Sequence, residues 1–377
     1  MRVLLNGLQA GNRSGTGRYT MELARRLPGL STGVDCAILW PRHLAYPARA
    51  EATHGAFVPV ASAAPVRRLF LDQFGLRTVR KRLGADIVHY PANIGSLFGL
   101  PNVVVTVHDL SFLHEPTWFR PGRALYYRYA VGRSLRVAAR IIADSRATAA
   151  DLEDLLGIEK GRIDVIPLGV SEEFRPVSEE RQHAVRKKYG VPGQFLLYAG
   201  TLEPRKNLAR VIEAWNRIAG ECDQDLVLAG RHGWKVAPIL RAAAESPFAD
   251  RIHFPGFVAQ SDLPALLGAA HAFIWPSLCE GFGLPPIEAM ACGVPVLTSN
   301  VSSLPEIAGD AAVLVDPWDV DAIAQGILAI ATNPSLRATL RDKGLARAAT
   351  YTWNRTAQLT LETYRTMLSI GHPPPNL

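Results

Sequence analysis

The sequence predicts an α/β protein of two doubly wound domains, and three observations carry that prediction. A strand–glycine–helix opening occurs twice, near residues 1 and 195. The other apolar runs are short and continuous, as in strands buried on both faces of a parallel sheet. The chain has 377 residues, about twice an ordinary domain.

The first opening is Arg2-Val3-Leu4-Leu5-Asn6-Gly7, followed by a helical pattern at Tyr19, Met21, Leu23 and Leu27. The second is Phe195-Leu196-Leu197-Tyr198-Ala199-Gly200, followed by Leu208, Val211, Ile212, Trp215 and Ile218, one face of a helix. Further strands are predicted at Asp86–His89, Val103–Val107 and Arg140–Ala143, then at Leu226–Ala229, Ala272–Trp275 and Val294–Thr298. The linker falls in Val165–Pro176, where two prolines and a glycine sit among charges, and the PPPNL tail is predicted to fray. The domains are then 1–168 and 169–353. Ligands of open α/β sheets bind beyond the carboxyl ends of the strands, so two such domains facing each other predict a central cleft lined by loops of both.

Composition narrows the class. At 48% hydrophobic and 20% charged the chain is globular. Cys36, Cys222, Cys279 and Cys292 lie far apart with no C-x-x-C, which predicts buried thiols in a reducing compartment. The apolar run at the start is too short for a signal peptide, and no run approaches the roughly 20 residues of a membrane helix. The expectation is a soluble, cytoplasmic protein. Residues 1–170 hold 22 Lys+Arg against 13 Asp+Glu (+9), leaving −2 for the remainder of the net +7. A basic half points to polyanions: nucleic acid, anionic lipid or a diphosphate-linked substrate.

Four elements carry candidate chemistry. In Ser277–Glu288 (SLCEGFGLPPIE), Pro285 and Pro286 suit a first helical turn, and Gly281 and Gly283 let a ligand approach the amides around Phe282, Gly283 and Leu284. Glu280 and Glu288 flank this cradle, and carboxylates suit the vicinal diols of a sugar. In Gly200–Asn207 (GTLEPRKN), Arg205 and Lys206 are placed to meet a diphosphate, with Asn207 as a helix cap. His108 and Asp109 end an apolar strand, where they either touch substrate or serve as strand-end residues; a neutral His108 imidazole can donate to a sugar hydroxyl. In Asn12–Gly17 (NRSGTG), Gly15 and Gly17 predict a tight loop near the transferred group. The triplets Asp223-Gln224-Asp225 and Asp319-Val320-Asp321 both have structural readings, the second as a helix cap, so no metal site is predicted.

These residues resemble the family 4 glycosyltransferases. The resemblance rests on GTLEPRKN, PGFV (Pro255–Val258) and PSLCEGFGLPPIEAMACGVPV, with HDLSFL, ADS (Ala143–Ser145) and VIPLGV in the first half. It covers nearly the whole chain and is nearest in style to bacterial mannosyltransferases of O-antigen and exopolysaccharide assembly. It implies the GT-B fold, two Rossmann-like domains with a C-terminal helix (354–377) crossing back, on which Trp353, Ala357 and Tyr364 fit the pattern. It implies retaining, metal-independent transfer of a hexose from a nucleoside-diphosphate sugar, with no cofactor, to a saccharide or lipid-linked saccharide. Glu280 would contact donor sugar hydroxyls, Glu288 the ribose, Arg205 and Lys206 the diphosphate and His108 the sugar near C6; Gly15 would lie under the diphosphate, and Phe257 and Val258 would border the base. Where many relatives carry an arginine after the strand glycine, this chain has Thr201. Style favours mannose from GDP-mannose; UDP-linked glucose or N-acetylglucosamine is the alternative, and a non-catalytic polyanion- or nucleic-acid-binding protein is the reading from another class. Arg67, Arg68, Arg77, Arg80, Lys81 and Arg82 read either as a solvated helix face or as a docking surface for an anionic bilayer or a lipid-diphosphate acceptor; since the first domain of this fold normally takes the acceptor, peripheral contact with the inner face of the cytoplasmic membrane is the expectation.

Overall fold

The computed structural model describes residues 1–12, 14–30, 33–46, 56–60 and 70–370; Arg67, Arg68 and the PPPNL tail lie outside them. The chain forms two compact units. The first is Met1–His114, Pro121–Gly169 and the chain from Thr352 onward; the second is Glu115–Arg120 with Val170–Tyr351.

In the first unit, β1 (Arg2–Asn6), α1 (Gly15–Arg26), β2 (Asp35–Pro41), β3 (Ala56–Val60), α2 (Leu76–Leu83), β4 (Ile87–Tyr90), β5 (Val103–Val107), α3 (Arg123–Val137), β6 (Arg140–Ala143), α4 (Arg146–Leu156) and β7 (Ile163–Val165) follow in order. The strands form one sheet ordered β3-β2-β1-β4-β5-β6-β7, every pairing parallel. Strand order reverses between β1 and β4, the switch point at which open sheets bind ligands.

The second unit repeats the plan: β8 (Phe195–Ala199), α5 (Leu208–Ile218), β9 (Asp225–Ala229), β10 (Ile252–His253), β11 (Ala272–Trp275), α6 (Leu284–Ala291), β12 (Val296–Ser299), β13 (Ala312–Val315) and α7 (Val320–Thr332). Its sheet runs β10-β9-β8-β11-β12-β13, again all parallel, with the switch point between β8 and β11. The predicted face of α5 (Leu208, Val211, Ile212, Trp215, Ile218) is buried throughout. Each such side chain contributes roughly 1.5–3 kcal/mol by leaving water.

The last helix, α8 (Trp353–Ile370), packs with the first unit. Trp353, Ala357 and Tyr364 are buried, and the Trp353 ring lies 6.2 Å from that of Tyr19 on α1. The Tyr364 hydroxyl meets Nδ1 of His89 at 2.6 Å, and His89 Nε2 meets Thr106 Oγ1 at 2.8 Å. Burial and the neighbouring His108 push the His89 pKa down to about 3, so this ring is a neutral core residue.

Two local expectations are corrected. Gly15 and Gly17 open α1 instead of forming a loop, with extended Ser14 as the residue before it. A Cβ on Gly17 would lie 1.7 Å from the Asn12 carbonyl oxygen, so the close return of the chain requires glycine there. Asn207 precedes α5 in a left-handed conformation (φ 63°), but its side chain does not cap the helix. Its amide instead donates to the carbonyls of Pro276 (3.2 Å) and Pro317 (2.6 Å), tying the loop after β8 to those after β11 and β13.

Candidate active site

β8 and β11 are neighbours, so the segments leaving their carboxyl ends meet at the switch point of the second sheet. The β8 segment turns through Pro204–Lys206; the β11 segment carries Ser277–Gly283 into α6. Leu278 N and Ser277 Oγ both donate to the Arg205 carbonyl, at 2.9 and 3.1 Å, fixing one against the other.

Glu280 lies at the centre. Its Oε1 accepts from Lys206 Nζ at 2.5 Å and from Trp275 Nε1 at 3.1 Å, and its Oε2 accepts from Arg205 Nη1 at 3.0 Å. Arg205 also reaches Glu203 (3.3 Å) and the Cys279 carbonyl (2.7 Å). Lys206 Nζ sits 4.5 Å over the Trp275 ring, itself stacked on Tyr198. Ser302 and Ser303 hold the loop from below: Ser303 Oγ donates to the carbonyls of Glu280 (2.9 Å) and Phe282 (2.8 Å), and Glu280 N donates to Ser302 Oγ (3.1 Å). Burial alone would raise the Glu280 pKa, but the two cations draw it down to about 2. Burial, together with Arg205, pulls the Lys206 ammonium down against the pull of Glu280 and Glu203. The firmer of the two effects is on Glu280, since one carboxylate faces two cations. Arg205 and Lys206 are therefore not open point charges: with Glu203 and Glu280 they form an interlocked quartet of two cations and two carboxylates.

Beside this quartet α6 begins. Gly283 has φ 112°, and a Cβ there would come within 2.9 Å of Leu304, so the bend into the helix needs glycine. The amides of Phe282, Gly283 and Leu284 come at the helix opening, where a first turn lacks partners for its N–H groups, and Pro285 and Pro286 bring no N–H. Phe282 is buried edge-on against Tyr351. Glu288 is buried on α6. Gly200 lies against Tyr198 and Trp275, where a Cβ would sit 2.8 Å from the tyrosine hydroxyl. Phe257 and Val258 lie further along the same edge, beyond β10. Phe257 is half exposed under the Arg231 guanidinium (4.3 Å), whereas Val258 is buried.

In the first unit, register places the other candidates. Val107 pairs with Ala143, so the next residues, His108 and Asp144, leave adjacent strands side by side. His108 Nδ1 meets Asp144 Oδ2 at 2.7 Å and Nε2 faces the Pro91 carbonyl at 3.3 Å, while Asn93 Oδ1 accepts from His108 N. A carboxylate and a carbonyl both accept, so a doubly protonated ring satisfies both. This differs from the neutral imidazole that the sequence suggested. Burial opposes the charge, but Asp144 outweighs it and raises the His108 pKa. Asp109 takes the structural alternative: its Oδ1 accepts from the amide (3.1 Å) and hydroxyl (2.7 Å) of Ser111. Gly15 lies at the opening of α1, whose Tyr19 ring stands edge-on to His108 at 5.1 Å.

The two D-x-D triplets have structural partners. Asp225 accepts from Arg251 (3.0 Å) and His253 (2.7 Å), and Asp319 caps α7 through the amides of Asp321 and Ala322. Among the described residues no group of three or more His, Cys, Asp or Glu is placed to hold a metal. A shallow cavity of about 670 Å³ lies at the opposite, amino-terminal edge of the first sheet. Its charged residues are engaged with one another, Arg2 with Asp35 at 2.7 Å and with Asp86 through its amide, so the chemistry is assigned to the carboxyl-terminal edges. Sequence reasoning missed Glu203, Trp275, Ser302, Ser303 and Asp144; only the ADS run gave a signal, and only for the last.

Residues 13–174 match the family described as Glycosyltransferase Family 4, and residues 181–347 match Glycosyl transferases group 1. The O-antigen chain mannosyltransferase B of Escherichia coli is 31% identical over 93% of this chain and 96% of its own length. A D-inositol 3-phosphate glycosyltransferase of Pseudarthrobacter chlorophenolicus is 31% identical over 75% of this chain and 69% of its own. Among solved structures, the sucrose-phosphate synthase of Thermosynechococcus elongatus superimposes with a TM-score of 0.76 at 21% identity, covering 98% of this chain and all of that one. With the doubled strand order and the Glu280 quartet in view, the chain belongs to the family 4 glycosyltransferases and has their GT-B fold.

Proposed function

We propose that this glycosyltransferase moves mannose from GDP-mannose, with retention and without a metal, to a saccharide or lipid-linked saccharide of a cell-surface polysaccharide. The observation that carries the reading is the meeting of Arg205, Lys206 and the α6 opening around Glu280. Breaking the sugar–phosphate bond leaves negative charge on the departing diphosphate and positive charge at C1. Fixed cations and helix-end amides stabilise the former without reorganisation. The acceptor oxygen bonds to C1 from the face the phosphate leaves, and a diphosphate oxygen takes the acceptor's proton. Glu280 accepts from donor sugar hydroxyls and Glu288 from the ribose. The choice of mannose is supported by the name of the Escherichia coli relative.

The test is a thermal-shift screen of GDP-mannose, UDP-glucose and UDP-N-acetylglucosamine, then transfer assays with EDTA present and product anomers read by NMR. Ligand binding raises stability by mass action. Stabilisation by GDP-mannose alone, EDTA-resistant transfer and an α product support the proposal. Selective response to a UDP-sugar overturns the donor assignment, loss of activity in EDTA overturns the metal-free assignment, and a trapped glycosyl-enzyme overturns the single-step mechanism.

A further inference from the structure

The loop that opens α6 is held by groups that the donor chemistry itself does not use. From below, Ser303 Oγ donates to the Phe282 carbonyl at 2.8 Å. A trans peptide sets its carbonyl and its N–H on opposite sides, so this bond turns the Gly283 N–H away from Ser303. Leu304 lies against Gly283, where a Cβ would come within 2.9 Å of it. A further hold is on the Phe282 side chain. It is buried, and its ring stands edge-on to that of Tyr351, with centroids 5.6 Å apart and planes at 82°.

Tyr351 is itself fixed at ring, hydroxyl and backbone. Arg347, in the last turn of the helix Pro334–Ala349, holds its guanidinium 5.3 Å from the Tyr351 ring centroid and donates to the Tyr351 hydroxyl at 2.9 Å. The same guanidinium donates to the carbonyls of Glu306 (2.6 Å) and Ile307 (2.9 Å) in the short helix Leu304–Ala308, which Ser303 precedes. Tyr351 N donates to the Ala348 carbonyl, and the Tyr351 carbonyl accepts from Val170 N, both at 3.0 Å. The contacts close a ring. Phe282 meets Tyr351, Tyr351 meets Arg347, and Arg347 grips the helix whose first residues return to Phe282 and Gly283.

We propose that Tyr351 is a positioning residue for the donor, acting through Phe282. An edge-on aromatic pair is attractive beyond the area it buries, and here it fixes the backbone from which the amides of Gly283 and Leu284 project. Those amides then meet the diphosphate already oriented. The role rests on the donor reading, in which the α6 opening holds the diphosphate. Without the Tyr351 ring the loop samples other arrangements, and only the aligned fraction binds, so the apparent dissociation constant rises by the inverse of that fraction. A bound donor reorders the loop before the bond breaks. The loss therefore falls on donor KM, and kcat and acceptor KM are spared. A side chain that serves stability alone would lower the melting temperature without this split.

The experiment is calorimetric titration of the full chain with GDP, paired with steady-state transfer from GDP-mannose. Tyr351→Leu should weaken GDP binding and raise donor KM by roughly three- to tenfold, the range that an aromatic pair supplies. Its kcat and acceptor KM should stay within about twofold of wild type. Tyr351→Phe keeps the ring on Phe282 and should restore GDP affinity to within about twofold. Phe282→Leu should weaken binding as much as Tyr351→Leu, and combining the two should add little, because both remove the same contact. Thermal melts show which variants fold; should Tyr351→Leu not fold, Phe282→Leu and Tyr351→Phe decide. Tyr351→Leu or Phe282→Leu binding GDP like the wild type overturns the role, as do additive effects in the double variant or a Tyr351→Phe as weak as the leucine variant. A wild type that binds UDP and not GDP overturns the base assignment alone, and the same variants are then compared with UDP. A wild type that binds neither overturns the donor reading, and this role with it.

Discussion

Replacing Glu280 by glutamine keeps the shape of the side chain and removes the charge that buried Lys206 and partly buried Arg205 face. The wild-type carboxyl is drawn from an ordinary 4.5 to about 2, and that preference for the ionised form corresponds to about 3 kcal/mol. This agrees with the roughly 3–5 kcal/mol lost when one partner of a buried ion pair is removed and the other stays behind. For a unit of this size, about 3 kcal/mol lowers the melting temperature by roughly 6–12 °C. The sign with pH is fixed. A depressed folded-state pKa gives stability that is present in full above about 4.5 and lost as pH falls toward about 2. The difference between wild type and Glu280→Gln should therefore be constant near neutrality and shrink through that acid window. Denaturant melts as a function of pH measure this. Adding Lys206→Met should destabilise by at least about 1 kcal/mol less than the sum of the single changes, because no lone charge remains buried. The reasoning is refuted if Glu280→Gln melts within about 1 kcal/mol of wild type, or if its deficit does not change between pH 7 and pH 3.

Asp144→Asn should lower the His108 pKa, because burial then acts on the ring without the opposing carboxylate. In the wild type the raised pKa places the His108–Asp144 contribution in full below the ordinary 6.5, lost only as pH rises through the raised value. Ring nitrogen NMR reads the proton directly, and a wild-type ring already neutral at pH 6 refutes it. Gly283→Ala forces a side chain into a left-handed backbone and toward Leu304, so it should cost roughly 1–3 kcal/mol and weaken binding of nucleoside diphosphate; calorimetric titration with GDP checks the second part. Gly17→Ala drives a methyl group into the Asn12 carbonyl and should destabilise the first unit by at least about 1 kcal/mol, read by thermal melting.

What the sequence disclosed depended on whether a contact was local. Strands buried on both faces, such as Val103–Val107 and Ala272–Trp275, announced themselves as unbroken apolar runs. The edge strand β13 is half exposed, and β7 and β10 are three and two residues long, too short and mixed to make such a run. The loops after β8 and β11 were legible as candidate sites because glycine, proline and charge followed each strand. That Lys206 would grip Glu280 was not, since it depends on β8 lying next to β11. Asp144 was invisible as a partner of His108 for the same reason: 36 residues separate them, and only the pairing of β5 with β6 brings them together. Asp109 shows the opposite case, a residue at a strand end whose hydrogen bonds go to a serine two positions on.

The placement of Trp353–Ile370 has a consequence for synthesis. The core around Tyr19 and His89 is finished by Trp353 and Tyr364, more than 260 residues downstream of His89. A ribosome adding about 5–20 residues per second must translate the entire second unit before those aromatics emerge. The amino-terminal half thus waits, its hydrophobic seam open, for tens of seconds, and a fragment cut at Gly169 would never acquire the missing piece.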